Sequence, residues 1–210
     1  MDATMFRAWV AEATRLVVDN ADHLTHLDAA IGDADHGINL SRGLRAAAAT
    51  LDETAPATPG AVLATVGRAL ISKTGGASGP LYGTAFRAAA KTLGEDPDVS
   101  AVQLGAALAA ALAGIRQLGA AEPGDKTIVD ALGPAVAAMR AALGAGKPVA
   151  EAVTAAREAA QEGMRATVPM QARKGRASYL GERSVGHQDP GATSTALILT
   201  ALEGVVAEES

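Results

Sequence analysis

The sequence predicts an all-α protein: about eight antiparallel helices in an up-and-down arrangement, in one domain spanning residues 1–210. Three observations carry this. Hydrophobic residues make up 49% of the chain but aromatics only 2%, so the apolar content is mostly alanine with leucine and valine, the composition of helices packed closely side by side. Apolar positions recur at helical spacing, as in Phe6, Val10, Ala13 and Val17. No β-branched run alternates with polar residues over the length of a strand.

The elements follow in order. A first helix runs from about Ala3 to Asn20 and leads, through His23 and His26, into an acidic stretch. A second begins at Asn39–Ser41 and continues to about Thr54, where Pro56 and Pro59 break it. Gly60 to Ile71 forms a third, followed by a glycine-rich turn, Gly75–Pro80. Leu81 to Leu93 makes the fourth. Ser100 is a natural N-cap for the fifth, which reaches about Leu118. The sixth starts near Asp125, with Ile128, Leu132, Val136, Met139 and Leu143 on one face, and stops at Gly144–Pro148. The seventh covers Val149 to about Met170. A polar loop without regular structure, Arg173–Pro190, precedes the last helix, Gly191 to about Ala207.

Composition excludes several classes of function. The chain has no cysteine, so disulfides and thiolate metal sites are unavailable. Net charge is -5 without a basic block, which argues against nucleic acid as a partner. Asp2, Arg7, Glu12, Arg15 and Asp19 break up any signal-peptide core. The uncharged run Val99–Ile115 falls short of the roughly 20 strongly apolar residues of a membrane span. A soluble, cytoplasmic protein without membrane contact is expected.

Asp28, Asp33 and Asp35 fall within eight positions, between helices and among glycines 32 and 37. Three anions in a short flexible segment repel one another unless a cation sits between them. Hard divalent cations take oxygen ligands, and Mg²⁺ commonly keeps positions open for phosphate. An acidic solvated turn is the plainer alternative, but the third aspartate, His36 and Asn39 favour a metal site. An EF-hand is excluded: counting from Asp33, its sixth position would be Ile38 and its twelfth Leu44, not Gly and Glu.

In an up-and-down arrangement alternate connections share one end. The acidic loop, Gly75–Pro80, Gly119–Gly124 and Arg173–Pro190 follow the first, third, fifth and seventh expected helices, so all four emerge together. Gly75–Pro80 fits neither G-x-S-x-G nor G-x-G-x-x-G. Taken alone it reads first as a plain inter-helix turn, and second as a turn whose free N–H groups hold an anion at a helix N-terminus. Gly119–Thr127 only approaches a P-loop, since Asp125 separates the glycine from Lys126 and no strand precedes it. Asp125 suits a first helical turn, and Lys126 is a candidate charge near the site. The long loop brings Arg173, Lys174, Arg176 and Arg183 to the carboxylate end, and its length suggests a lid.

Taken together, these motifs resemble the nucleotide-binding L subunit of the dihydroxyacetone kinases. The matching residues are Leu27-Asp28-x4-Asp33-Ala34-Asp35-His36-Gly37-x-Asn39, then Gly75-Gly76-Ala77-Ser78-Gly79-Pro80-Leu81-Tyr82-Gly83. Gly124-Asp125-Lys126-Thr127 with Asp130, Gly175-Arg176 through Arg183-Ser184, and Asp189-Pro190-Gly191 through Ser194 complete the set. The likeness spans about residues 5 to 205, in order. Ala34 stands where many relatives have glycine, outside the chemistry.

The resemblance implies an eight-helix antiparallel barrel with ADP or ATP at one end. It implies that Asp28, Asp33 and Asp35 hold two Mg²⁺ ions bridging the phosphates. His36, Gly37, Ile38, Asn39, Ala77 and Ser78 would contact phosphate, while Gly119, Ile128, Arg176, Asp189 and Pro190 would line the nucleotide. His36 would touch ligand rather than carry phosphate, and His23 and His26 would be ordinary surface histidines. The length is about that of the nucleotide domain alone, so dihydroxyacetone is expected on a separate substrate-binding kinase subunit, with a phosphohistidine carrier subunit recharging bound ADP. The alternatives are a two-chain ATP-dependent ketose kinase and a non-catalytic nucleotide-sensing module that reports to a transcriptional regulator. An intact acidic triad favours phosphoryl transfer over mere sensing.

Overall fold

A computed structural model describes residues 1–208 of the chain. Nine α-helices and a 3₁₀ segment occur among them, with no strand: α1 (Ala3–Asp19), α2 (Ala21–Ile31), α3 (His36–Thr54), α4 (Pro59–Lys73), α5 (Ser78–Leu93), α6 (Ala101–Gly119), α7 (Ile128–Gly144), α8 (Val149–Ala166), the 3₁₀ segment Arg176–Ser184, and α9 (Pro190–Glu208). Eight of the helices close a ring. α1 packs on α3, each of α3 to α8 on the next, α8 on α9, and α9 back on α1. The expected count of eight is therefore the count of the barrel wall. α2 is the addition, and it lies against α1, α3, α9 and the 3₁₀ segment.

The start signals are local. Asp2 accepts from the Thr4 and Met5 N–H groups ahead of α1, and Thr58 caps α4 with Pro59 just inside it. Ser100 and Gln103 form a capping box on α6, as Thr127 and Asp130 do on α7. Asp125 thus lies outside α7, correcting the expected start. Its carboxylate instead closes a turn by accepting from Glu122 N–H at 2.8 Å. α5 begins at Ser78, because Gly79 and Pro80 are tolerated in a first turn where N–H groups have no intrahelical partner.

Small residues bring the helices close. A Cβ on Gly163 of α8 would stand 2.1 Å from the Asp130 carbonyl of α7, so only glycine permits that approach. Phe6, Trp9 and Phe86 cluster in the interior, and Trp9 Nε1 donates to Ile198 O at 2.9 Å. α9 is buried over most of its length. α6 and α9 are both long and apolar enough to cross a membrane by length and composition. Here both are barrel staves, α9 seated on α1, α7 and α8 and α6 on α5 and α7.

Candidate functional site

The N-termini of α3, α5, α7 and α9 meet at one end of the barrel. Asp35–His36, Ala77–Ser78, Thr127–Ile128 and Asp189–Pro190 all line a cleft of about 530 Å³, a volume ordinary for a small-molecule site. Each helix start carries roughly half a positive charge from its aligned peptide dipoles. At α5 no N-cap side chain bonds the first N–H groups, and at α3 the N-cap Asp35 does not cap its own helix, the His36 N–H going to Asp28 instead. The cleft is therefore built to attract anions, and the carboxylates in it need cations.

Asp28 sits in the last turn of α2 and is buried. One oxygen, Oδ2, accepts from Asp35 N–H at 2.8 Å and His36 N–H at 3.1 Å. Those bonds fold the loop back on itself and fix Asp35 beside Asp28. Ala34, at the loop's tip, has φ 61°, a left-handed conformation that explains why glycine is at home there. Asp28, Asp33 and Asp35 each offer an oxygen, and the three lie within 4.8 Å of one another. Oxygens on opposite sides of one Mg²⁺ are about 4.2 Å apart, so the cluster has the size and the hard-oxygen chemistry that such an ion requires. Arg176 closes the group from the lid, its Nε 2.7 Å from Asp33 Oδ2.

His36 is fixed from behind. Its Nε2 lies 2.9 Å from Ser194 Oγ, and Tyr82 hydroxyl bonds Ser194 Oγ at 2.7 Å and Thr195 Oγ1 at 2.8 Å. Burial pushes the imidazole pKa down, opposed by the charges of Asp28 and Asp35. Burial likewise pushes the Tyr82 phenol up. This network was invisible in the residue pattern, although Tyr82 is one of only two tyrosines.

Asp189 caps α9 by accepting from Ala192 N–H at 2.7 Å. Burial drives its pKa up to about 7, against the pull of backbone N–H groups and Lys126. Lys126, the candidate charge near the site, lines the cleft as well, but it is almost wholly buried, with φ 63°. Its ammonium is committed to three backbone carbonyls: Thr167 O at 2.8 Å, Met170 O at 3.2 Å, and His187 O. It joins both feet of the lid to the α6–α7 loop.

Among the residues singled out from sequence, Asp28, Asp33, Asp35, His36, Ala77, Ser78, Gly119, Ile128, Arg176, Asp189 and Pro190 all line the cleft. Gly37, Ile38 and Asn39 do not. Gly37 packs on the Ala21 carbonyl, Ile38 points outward at 58% exposure, and Asn39 is buried, accepting from Arg42 at 2.7 Å. Gly37 and Ile38 can meet a ligand only through first-turn N–H groups. The loop expected to lack regular structure instead contains the 3₁₀ segment, bent at Gly181 with φ 57°.

Residues 30–204 match the DAK2 domain family. The chain is 40% identical over 202 residues to the PEP-dependent dihydroxyacetone kinase, ADP-binding subunit DhaL, of Escherichia coli (strain K12), covering 96% of each. It is 36% identical over 199 residues to the PTS-dependent dihydroxyacetone kinase, ADP-binding subunit DhaL, of Lactococcus lactis subsp. lactis (strain IL1403), covering 95% of each. A solved dihydroxyacetone kinase from C. freundii, in complex with AMP-PNP and Mg²⁺, superposes with a TM-score of 0.71 at 28% identity. That match covers 99% of this chain and 34% of the other, so the chain spans about a third of that solved protein. By the match over residues 30–204 and the likeness to these subunits along nearly their whole length, the chain belongs to the DAK2 domain family.

Proposed function

We propose that this chain is the ADP-binding subunit of a dihydroxyacetone kinase of the PEP-dependent type, working in the cytoplasm. It takes a phosphoryl group from a phosphohistidine carrier subunit onto Mg-bound ADP and passes it to dihydroxyacetone held by a separate kinase subunit. One observation carries this: an acidic triad shares a cleft of nucleotide size with four helix N-termini. Helix starts alone would bind an anion, and carboxylates alone a cation. Together they suit a metal–polyphosphate complex.

In this reading Asp28, Asp33 and Asp35 hold two Mg²⁺ ions. When bound, the ions neutralise phosphate charge and hold the phosphates for in-line transfer. Asp28 positions Asp35 through the loop bonds described above. His36, Ala77 and Ser78 meet the phosphates, with Gly37 and Ile38 offering first-turn N–H groups of α3 and Asn39, bonded to Arg42, supporting them from behind. Gly119, Ile128, Asp189 and Pro190 line the nucleotide, and Arg176 adds charge from the lid. Catalysis is positioning and electrostatics, without a protein nucleophile. The bond from His36 Nε2 to Ser194 agrees with a contacting rather than a phosphorylated histidine.

The relatives matched over nearly their full length carry PEP- or PTS-dependent names. L-erythrulose 1-kinase of Mycolicibacterium smegmatis, at 38% identity, is matched over only 33% of its length. This supports the relay over direct use of ATP. The test mixes purified chain, substrate subunit, excess Mg-ATP and dihydroxyacetone without a phosphocarrier. A single turnover per bound nucleotide, restored by carrier, is expected. Sustained multiple turnover would overturn the relay.

A further inference from the structure

The acidic triad already has a cation seated on it. Arg176 Nε lies 2.7 Å from Asp33 Oδ2, and Asp33 contributes one of the three oxygens gathered within 4.8 Å. A guanidinium keeps its charge at any working pH and cannot accept. The guanidinium therefore occupies one acceptor position on Asp33 and offsets the negative charge that a metal ion would be drawn to. The contact is also reversible by design. The Arg176 side chain is 68% exposed, and it is preceded by Gly175 at φ 63° and followed by Gly181 at φ 57°. These are left-handed conformations that glycine adopts readily, and no side chain at either position resists a change of backbone angle. The base of the lid is pinned separately: Arg173 N–H donates to Asp125 O at 3.1 Å and Gly186 N–H to Val168 O at 2.8 Å.

We propose, on the metal-site reading above, that Arg176 is a built-in counter-ion which an incoming divalent cation must displace from Asp33. The released guanidinium turns to the polyphosphate beside it. No bond is made or broken covalently. One charge-assisted contact is exchanged for another. Metal alone has to pay for the displacement, whereas metal arriving with nucleotide gives Arg176 a second anion. Metal and nucleotide therefore strengthen each other's binding through this side chain, reciprocally.

The test measures Mn²⁺ binding by the paramagnetic resonance of free Mn²⁺, for the whole chain, Arg176→Gln and Arg173→Gln. Arg173 is an exposed lid cation outside the cleft lining, so its variant controls for net charge. Without nucleotide, Arg176→Gln binds Mn²⁺ about two- to fivefold more tightly than the parent, the range expected for an exposed ion pair removed. Arg173→Gln stays near the parent. Added ADP tightens Mn²⁺ binding less in Arg176→Gln than in the parent. Unchanged or weaker Mn²⁺ binding in Arg176→Gln, or an equal gain in Arg173→Gln, overturns the proposal while leaving the metal site standing. Absence of Mn²⁺ binding in every protein, even with ADP, overturns the proposal and the metal site together.

Discussion

Replacing Asp33 by asparagine separates stability from function, because the two change in opposite directions. In the free chain Asp33 faces two carboxylates whose ligand oxygens lie within 4.8 Å. At that distance each like-charge pair repels by roughly 1 kcal/mol in a water-like dielectric, and the 38% exposure of Asp33 makes that dielectric the appropriate one. Against this stands the Arg176 pair, which at such exposure contributes about 0.2–1 kcal/mol. The balance leaves Asp33→Asn about 1 kcal/mol more stable, a Tm rise of roughly 2–4 °C at this chain length. Nucleotide binding moves the other way. The site loses one of three charges facing the cations and phosphates, and Mg-ADP affinity falls at least about tenfold, or 1.4 kcal/mol. Thermal unfolding without ligand and calorimetric titration with Mg-ADP measure the two sides. A lowered Tm with unchanged affinity would mean that Asp33 is a structural residue and refute the reasoning.

The lid should exchange amide hydrogens more slowly across residues 173–186 with Mg-ADP than without, as Arg176 engages the ligand; equal protection in both states counts against it. Gly37→Ala would place a Cβ 2.0 Å from the Ala21 carbonyl and 2.6 Å from Thr25 Oγ1, forcing α2 off α3. We expect a loss of about 1–3 kcal/mol and a lower Tm, and a parental Tm would show that the contact yields. Asp189 has its pKa raised by burial to about 7, so the stability it contributes is full below the unfolded value near 4 and is lost as pH rises through about 7. Asp189→Asn cannot ionise and keeps an acceptor for Ala192. Its stability should therefore gain on the parent between about pH 4 and 7, by at most about 4 kcal/mol. Parallel stability–pH curves for the two proteins would exclude this.

The barrel wall was legible because its helices obey local rules: apolar stripes, a cap at Ser100, and breaks at Pro56 and Gly144. α2 was not legible, and the reason is physical. Its inward stripe is Leu24, Asp28 and Ile31, so the residue that breaks the apolar periodicity is itself the buried carboxylate. Periodicity fails there because a carboxylate occupies a core position, as the proposed metal site would require. The convergence of four loops survived the missed helix, since an element inserted before the first loop shifts all four by one. Lys126 was legible only in part. Its charge does stand near the site, in the cleft lining, but its partners are carbonyls 41 to 61 residues away in sequence. No local pattern encodes such distant partners. Tyr82 behind His36 is hidden in the same way, with partners more than 100 residues downstream.

The position of Lys126 bears on how the cleft can open. Its ammonium grips Thr167 and Met170 on the entering strand of the lid and His187 on the leaving one, as a rivet holds the two plates of a clasp. Lifting of the tip would leave both feet where Lys126 holds them, and just inside them Arg173 and Gly186 are held again, by Asp125 and Val168. Any movable part is thereby confined to the span between those two pins. A substrate-bearing subunit approaching this end would meet an arginine on a loop tied at both feet rather than on a free arm.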